Sequence, residues 1–145
     1  VAITLENCYD DWCMSILAKE LNKEEDYQYY LKRALNYQNV FDTATGFMRP
    51  KTADGRWIEP FDPIWSGGQG RRESYTENNG WNYTWYVPHD VEGLIGLMGG
   101  REKFTDKLQT MFETNVPLYQ KYDFLKQYPD MTGWIGMYSH GNEIT

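Results

Sequence analysis

"LENCYDDWCMSILAKEL", residues 5–21, decides the fold class. Its apolar side chains Leu5, Cys8, Tyr9, Trp12, Cys13, Ile16 and Leu17 recur at spacings of three and four, the period that lines one face of an α-helix. After the polar turn "NKEED", the residues Tyr27, Tyr30, Leu31, Ala34, Tyr37 and Phe41 repeat that spacing. A second helix is therefore expected to fold back on the first as an α-hairpin. Cys8 and Cys13 then lie on one helix with Cα atoms more than about 7 Å apart and side chains pointing apart, so they cannot pair; both are expected as buried free thiols.

Beyond the hairpin the texture changes. From Asp42 to about Ser74 the chain, beginning "DTATGFMRPKTADGRWIEPFDPIWSGGQG", is rich in proline and glycine and holds neither period, so it reads as a long ordered loop, with "ADGR" setting a tight turn inside it. Helical spacing resumes after Glu77, breaks at Pro88 and restarts with Asp90 as the N-cap of "VEGLIGLM", which stops at Gly99 and Gly100. Phe104, Leu108, Met111 and Phe112 stripe a further helix, and the remainder mixes short helical or looped pieces with no sustained strand alternation. Paired helices joined by long aromatic loops point to an all-α array or toroid of hairpins. The chain is expected to be one partial domain, residues 1–145, of a larger structure.

Charge and composition narrow the partners. Fourteen basic against twenty-one acidic residues give a net charge of −7 with no basic block, which disfavours nucleic acid and anionic membrane surfaces. The apolar run from Val91 to Met98 is far shorter than the roughly 20 residues that span a bilayer. No cysteine or histidine cluster has zinc spacing.

Twenty-four aromatic residues suggest a saccharide site, because flat rings pack on the C–H faces of sugars while nearby amides and carboxylates take the hydroxyls. Trp12, Tyr27, Tyr30 and Phe112 lie on helix stripes and are expected as core, whereas Trp57, Trp65, Trp81 and Trp85 either line a pocket or pack inside. In "YTENNGWNYTWYVPHD", residues 75–90, Glu77 stands among rings and amides: a desolvated proton donor, or a helix cap. Asp10 and Asp11 diverge by about 100° on their helix and cannot share a substrate, and Asp54 and Asp62 have the surroundings of turn-forming aspartates. His89 is expected to orient the helix start beside Asp90. "SHGNE" groups His140, Asn142 and Glu143, either as oxygen-rich ligands for a hard cation or as a polar turn.

Taken in order, "GFMRPKTADGRWIEPFDP", "YTENNGWNYTWYVPHDVEGLIGLMGG" and "YSHGNE" resemble glycoside hydrolase family 92, the calcium-dependent exo-α-mannosidases, and the likeness runs from "YDDWCMSILAKEL" to Glu143. The resemblance implies part of an (α/α) toroid of the six-hairpin glycosidase type, an inverting hydrolase that removes terminal α-linked mannose from mannose-rich glycans, and a secreted, periplasmic or cell-surface setting. It assigns Glu77 as the general acid, matching the carboxylate of the family's "TEGN" block, with Asn78 where the family has glycine. It also makes His140 a substrate-binding residue, beside Trp81 from the aromatic reading above, and Asn142 and Glu143 ligands of one calcium ion. Ile144 and Thr145 replace the proline and histidines that follow in the family.

Inversion needs a second carboxylate about 6.5–9.5 Å from the acid, and the family's "GNDD"-type block that supplies it does not occur in this sequence. The chain alone is therefore expected to be inactive, and to self-associate through apolar helix faces left without partners. The rival function is a non-catalytic helical-repeat interaction module resting on the first hairpin, although no second copy recurs at about 34 residues.

Overall fold

The structure, a computed structural model, describes residues 1–64, 74–76 and 79–117, with residues 132–134; of 115–117 and 132–134 only the backbone is described. Helices dominate it. The expected hairpin is present as α1, Ala2–Glu20, and α2, Glu24–Ala34. α1 stops where Asn22 takes a left-handed φ of 55°, a conformation asparagine tolerates, and Lys23 N–H donates back to Ala18 O at 2.9 Å. α2 opens with Glu24, Glu25 and Asp26 and closes with Lys32 and Arg33, both arrangements complementing the helix dipole.

The buried face of α1 is not the one its apolar spacing suggests. Ala2, Leu5, Cys8, Asp11, Ser15 and Ala18 are buried, while Cys13, Ile16 and Leu17 are exposed. Two polar groups sit on the inner face because each is satisfied there. Ser15 Oγ donates to Trp12 O at 2.7 Å, and Asp11 accepts from Arg33 Nε of α2 at 2.9 Å, clamping the hairpin. Cys13 is thus an exposed thiol, correcting the expectation that both cysteines are buried; Cys8 is buried, and desolvation pushes its thiol above the usual range.

The second helix is shorter than the stripe from Tyr27 to Phe41 suggests. It tightens into a 3-10 segment, Leu35–Val40, and gives way to a two-residue hairpin of β1, Phe41–Asp42, and β2, Phe47–Met48. Inside the following loop the expected turn forms. Lys51 and Trp57 bridge antiparallel, Gly55 takes a φ of 87°, and the Asp54 carboxylate accepts from Thr52 Oγ1 and from Arg56 Nε. Asp62 caps its own turn, accepting from Ile64 N at 3.0 Å.

α3, Gly80–Tyr83, leads through Pro88 into α4, Val91–Met98, and α5, Arg101–Glu113. Asp90 caps α4 by accepting from Gly93 N at 2.9 Å, and Gly99, at φ 88°, ends it in the left-handed conformation, both as expected. His89 works at a distance from that cap. Its Nε2 stands 3.0 Å from Ala34 O at the end of α2, and its ring is surrounded by Tyr9, Trp12 and Tyr37. Phe112, expected as core, is 49% exposed. An antiparallel pair of β3, Asn115–Pro117, and β4, Thr132–Trp134, lies where only helical or looped pieces are expected.

The main core gathers Leu5, Cys8, Tyr37, Met48, Tyr75, Tyr83, Val87 and Leu94, and a second cluster forms around Phe47, Trp81 and Met111. Tyr37 crosses the first core to donate to Asp90 Oδ2 at 2.7 Å, and burial followed by that bond pushes its phenol up to about 12. A methyl at Gly93 would collide with both Tyr37 Oη and Asp90 Oδ2. Gly93→Ala should therefore cost about 1–3 kcal/mol, whereas the same change at the open Gly96, inside α4, should stabilise by about 0.4–1 kcal/mol. Thermal unfolding of the two variants checks this; equal midpoints would refute the packing argument.

Candidate functional site

The site expected from sequence centres on the segment that enters α3. Tyr75 donates its hydroxyl to Met48 O at 2.6 Å inside the core, and Tyr83 Oη donates to Thr76 O at 3.2 Å, so the chain is held on the N-terminal side of Glu77. On the other side Asn79 is fully buried and caps α3, its Oδ1 accepting from Asn82 N at 3.2 Å. Gly80 follows in a crowded position, because a Cβ there would lie 3.2 Å from Tyr75 Oη and 3.3 Å from Pro63 and would press on both. Thr84 completes the frame: its hydroxyl donates to Gly80 O at 2.6 Å and accepts from Met48 N at 3.1 Å. Buried and part-buried hydrogen bonds thus tie Tyr75 and Thr76 on one side, and Asn79 and Gly80 on the other, to β2 and α3. Asn79 Nδ2 is itself buried with no partner among the described residues.

Glu77, His140, Asn142 and Glu143 lie outside the described residues. Trp81 is described. It is 9% exposed and packs against Phe47 with ring centres 4.8 Å apart and planes inclined by 84°. Trp85 is half-buried, donating Nε1–H to Met111 Sδ at 3.0 Å and meeting Phe104 edge to face, so its alternative of core packing prevails. Trp57 stacks under Lys51, whose Nζ is 3.9 Å from the ring centre. Among the described residues no cluster of three histidine, cysteine, aspartate or glutamate side chains could hold a metal. No described helix is long and apolar enough to cross a membrane.

Two cations beside this frame, Arg49 buried and Lys107 half-buried, escape the sequence reading. Arg49 lies under the loop, between Asp42 and Glu59 and against the Phe61 ring. Lys107 enters the second cluster, its Nζ 3.3 Å from the centre of the Phe47 ring, and burial brings its ammonium down to about 8. A signal for Lys107 existed: it occupies the stripe of Phe104, Leu108 and Met111, where a hydrocarbon belongs.

The chain is similar to several known proteins. The family described as "Glycosyl hydrolase family 92 catalytic domain" matches residues 1–145. An "Uncharacterized secreted glycosidase" of Arthroderma benhamiae is 33% identical over 138 residues, which is 80% of this chain and 17% of that protein. The family GH92 alpha-mannosidase BT3965 of Bacteroides thetaiotaomicron superposes with a TM-score of 0.71 at 42% identity, over 78% of this chain and 14% of the other. Its complex with mannoimidazole gives 0.73 at 41% identity, over 78% and 15%. The inverting mannosidase BT2199 of the same bacterium gives 0.68 at 35% identity, over 88% and 17%. The chain therefore spans about a sixth of the length of these relatives. By that full-length family match and those identities, the chain belongs to glycosyl hydrolase family 92 and is a stretch of its catalytic domain.

Proposed function

We propose that this chain contributes the general acid and part of the sugar site to an exo-acting, inverting α-mannosidase that removes terminal α-linked mannose from glycans. One observation carries the reading. Over residues 1–145 the chain matches the catalytic domain of a family whose solved members at 35–42% identity are mannosidases, one of them described as inverting and another bound to mannoimidazole. Glu77 is assigned to protonate the departing glycosidic oxygen, and the hydrogen bonds of Tyr75, Tyr83, Asn79 and Thr84 tie down the described residues on either side of it in the sequence. His140 and Trp81 are assigned to the mannose. The base that activates water is assigned to a carboxylate beyond these 145 residues, so the chain by itself should turn over mannosides at least about 10²-fold more slowly than a complete domain. The α1–α2 hairpin, on which a repeat-module function would rest, lies within the hydrolase match and needs no separate role.

The donor set also fits calcium chemically, since the side-chain carbonyl of Asn142 and the carboxylate of Glu143 are hard oxygen ligands. Bound there, the ion would supply a positive charge and a template for vicinal sugar hydroxyls. The test is hydrolysis of an α-mannoside by a complete catalytic domain containing this stretch, with calcium and with a chelator. Loss of about tenfold or more on chelation, restored by calcium and not by magnesium, is the expected result; indifference to the chelator would remove the ion from the proposal. A secreted setting is proposed by analogy with the Arthroderma benhamiae glycosidase.

Self-association is assigned to the outer face of α1, where Ile3, Met14, Leu17 and Leu21 are 72%, 42%, 51% and 59% exposed. Gel filtration of the 145-residue chain should show a concentration-dependent size that Leu17→Lys shifts toward monomer. A monomer at every concentration would refute it.

A further inference from the structure

Lys107 is a cation packed inside the second cluster, and its position is unusual for a lysine. It could extend to water, as lysines on apolar stripes commonly do. Instead Nζ is folded inward, 3.3 Å from the centre of the Phe47 ring and 4.6 Å from that of Trp81. Those rings stand nearly perpendicular, forming a two-walled corner around the ammonium. Gly46, at φ 72°, borders the same corner, where a Cβ would stand 3.5 Å from Nζ, an ordinary van der Waals contact. No carboxylate among the described residues pairs with it. Methionine would fill the same volume without the cost of desolvating a charge. What the charge adds is attraction to two π faces, one on β2 and one on α3, from a rigid position on α5.

We propose that Lys107 is a positioning residue: its ammonium fixes the indole of Trp81, four positions after Glu77, and thereby sets how tightly the saccharide is held. The inference rests on the mannosidase reading above and adds to it a residue that touches no substrate.

The experiment uses a complete family 92 catalytic domain containing this stretch, labelled with 5-fluorotryptophan, with Trp81→Phe assigning the Trp81 resonance. Lys107→Met should move or broaden that resonance, raise KM for an α-mannoside about tenfold with kcat within threefold, and leave the urea midpoint equal or higher. Lys107→Arg keeps the charge on a planar fork and should recover part of the KM. In a Trp81→Ala background Lys107→Met should add nothing further. A purely structural lysine predicts the reverse: lower stability with KM unchanged. An unmoved Trp81 resonance, or a KM effect that persists without Trp81, overturns the proposal. If the unmutated domain does not hydrolyse α-mannosides, the mannosidase reading falls, and the fluorine resonance still decides whether Lys107 holds the indole.

Discussion

Glu77→Gln is expected to lower turnover of an unactivated α-mannoside by a complete catalytic domain about 10²–10⁴-fold, the range that a positioned general acid supplies. The amide keeps the size and much of the hydrogen bonding of the acid but has no proton to give. The leaving group distinguishes this role from a structural one. A mannoside whose departing phenolate is already stable needs little protonation, so the variant should lose much less on it than on a sugar aglycone. Equal losses on both substrates would mean that Glu77 shapes the site without acting as the acid. KM should change little on either, because the proton is transferred only in the transition state.

The helical hairpin and the start of α4 were legible because their determinants are local. A three-four period, an aspartate three residues before a glycine N–H, and a terminal glycine at φ 88° are each written in a few consecutive residues. The inner face of α1 was not. Asp11 and Ser15 are buried because Arg33, twenty-two residues away, and a local carbonyl satisfy them, and nothing in the helix's own spacing announces an arginine on its neighbour. The β3–β4 pair escaped for a similar reason: three-residue strands separated by a long segment are too short to show alternation.

The candidate site was legible chiefly as a likeness of motifs. Local chemistry offered Glu77 as either an acid or a cap, and in the structure Asn79 supplies the cap of α3, so that helix does not need Glu77 for it. The frame on either side of Glu77 in the sequence comes from Met48, Tyr75, Tyr83 and Thr84, contributed by segments up to thirty-six residues apart. Such long-range bonds leave no period in the sequence. Lys107 shows what could have been found: a charge on an otherwise apolar stripe is a local anomaly, and its partners Phe47 and Trp81 are the part that required the fold.

Asp42→Ala is the stability change expected to be largest, about 3–5 kcal/mol, because it leaves a buried cation without its inner partner. Arg49 and Asp42 are only 5% and 7% exposed at their side chains, with Nη1 donating to Asp42 Oδ2 at 2.8 Å. Glu59 accepts from Nη2 at 2.5 Å but is 65% exposed, so water already screens it and it cannot replace Asp42. Desolvation alone would raise the Asp42 carboxyl. Hydrogen bonds from Arg49, Ala44 N and Thr45 Oγ1 outweigh it and hold the group below the usual carboxylate range. Because the folded value lies below the unfolded one, the stabilisation is complete above about pH 4 and is lost as pH falls through the folded value. Urea unfolding from pH 6 down to pH 3 should show the parent chain losing stability more steeply than Asp42→Asn below about pH 4, so that the difference between the two narrows as pH falls. Removing both charges, as in Asp42→Leu with Arg49→Met, should cost less than Asp42→Ala alone, since no uncompensated ion remains. If Asp42→Ala unfolds within about 1 kcal/mol of the parent, the pair is an ornament of the loop and the hairpin of β1 and β2 must be held by the Phe47 and Met48 side chains instead.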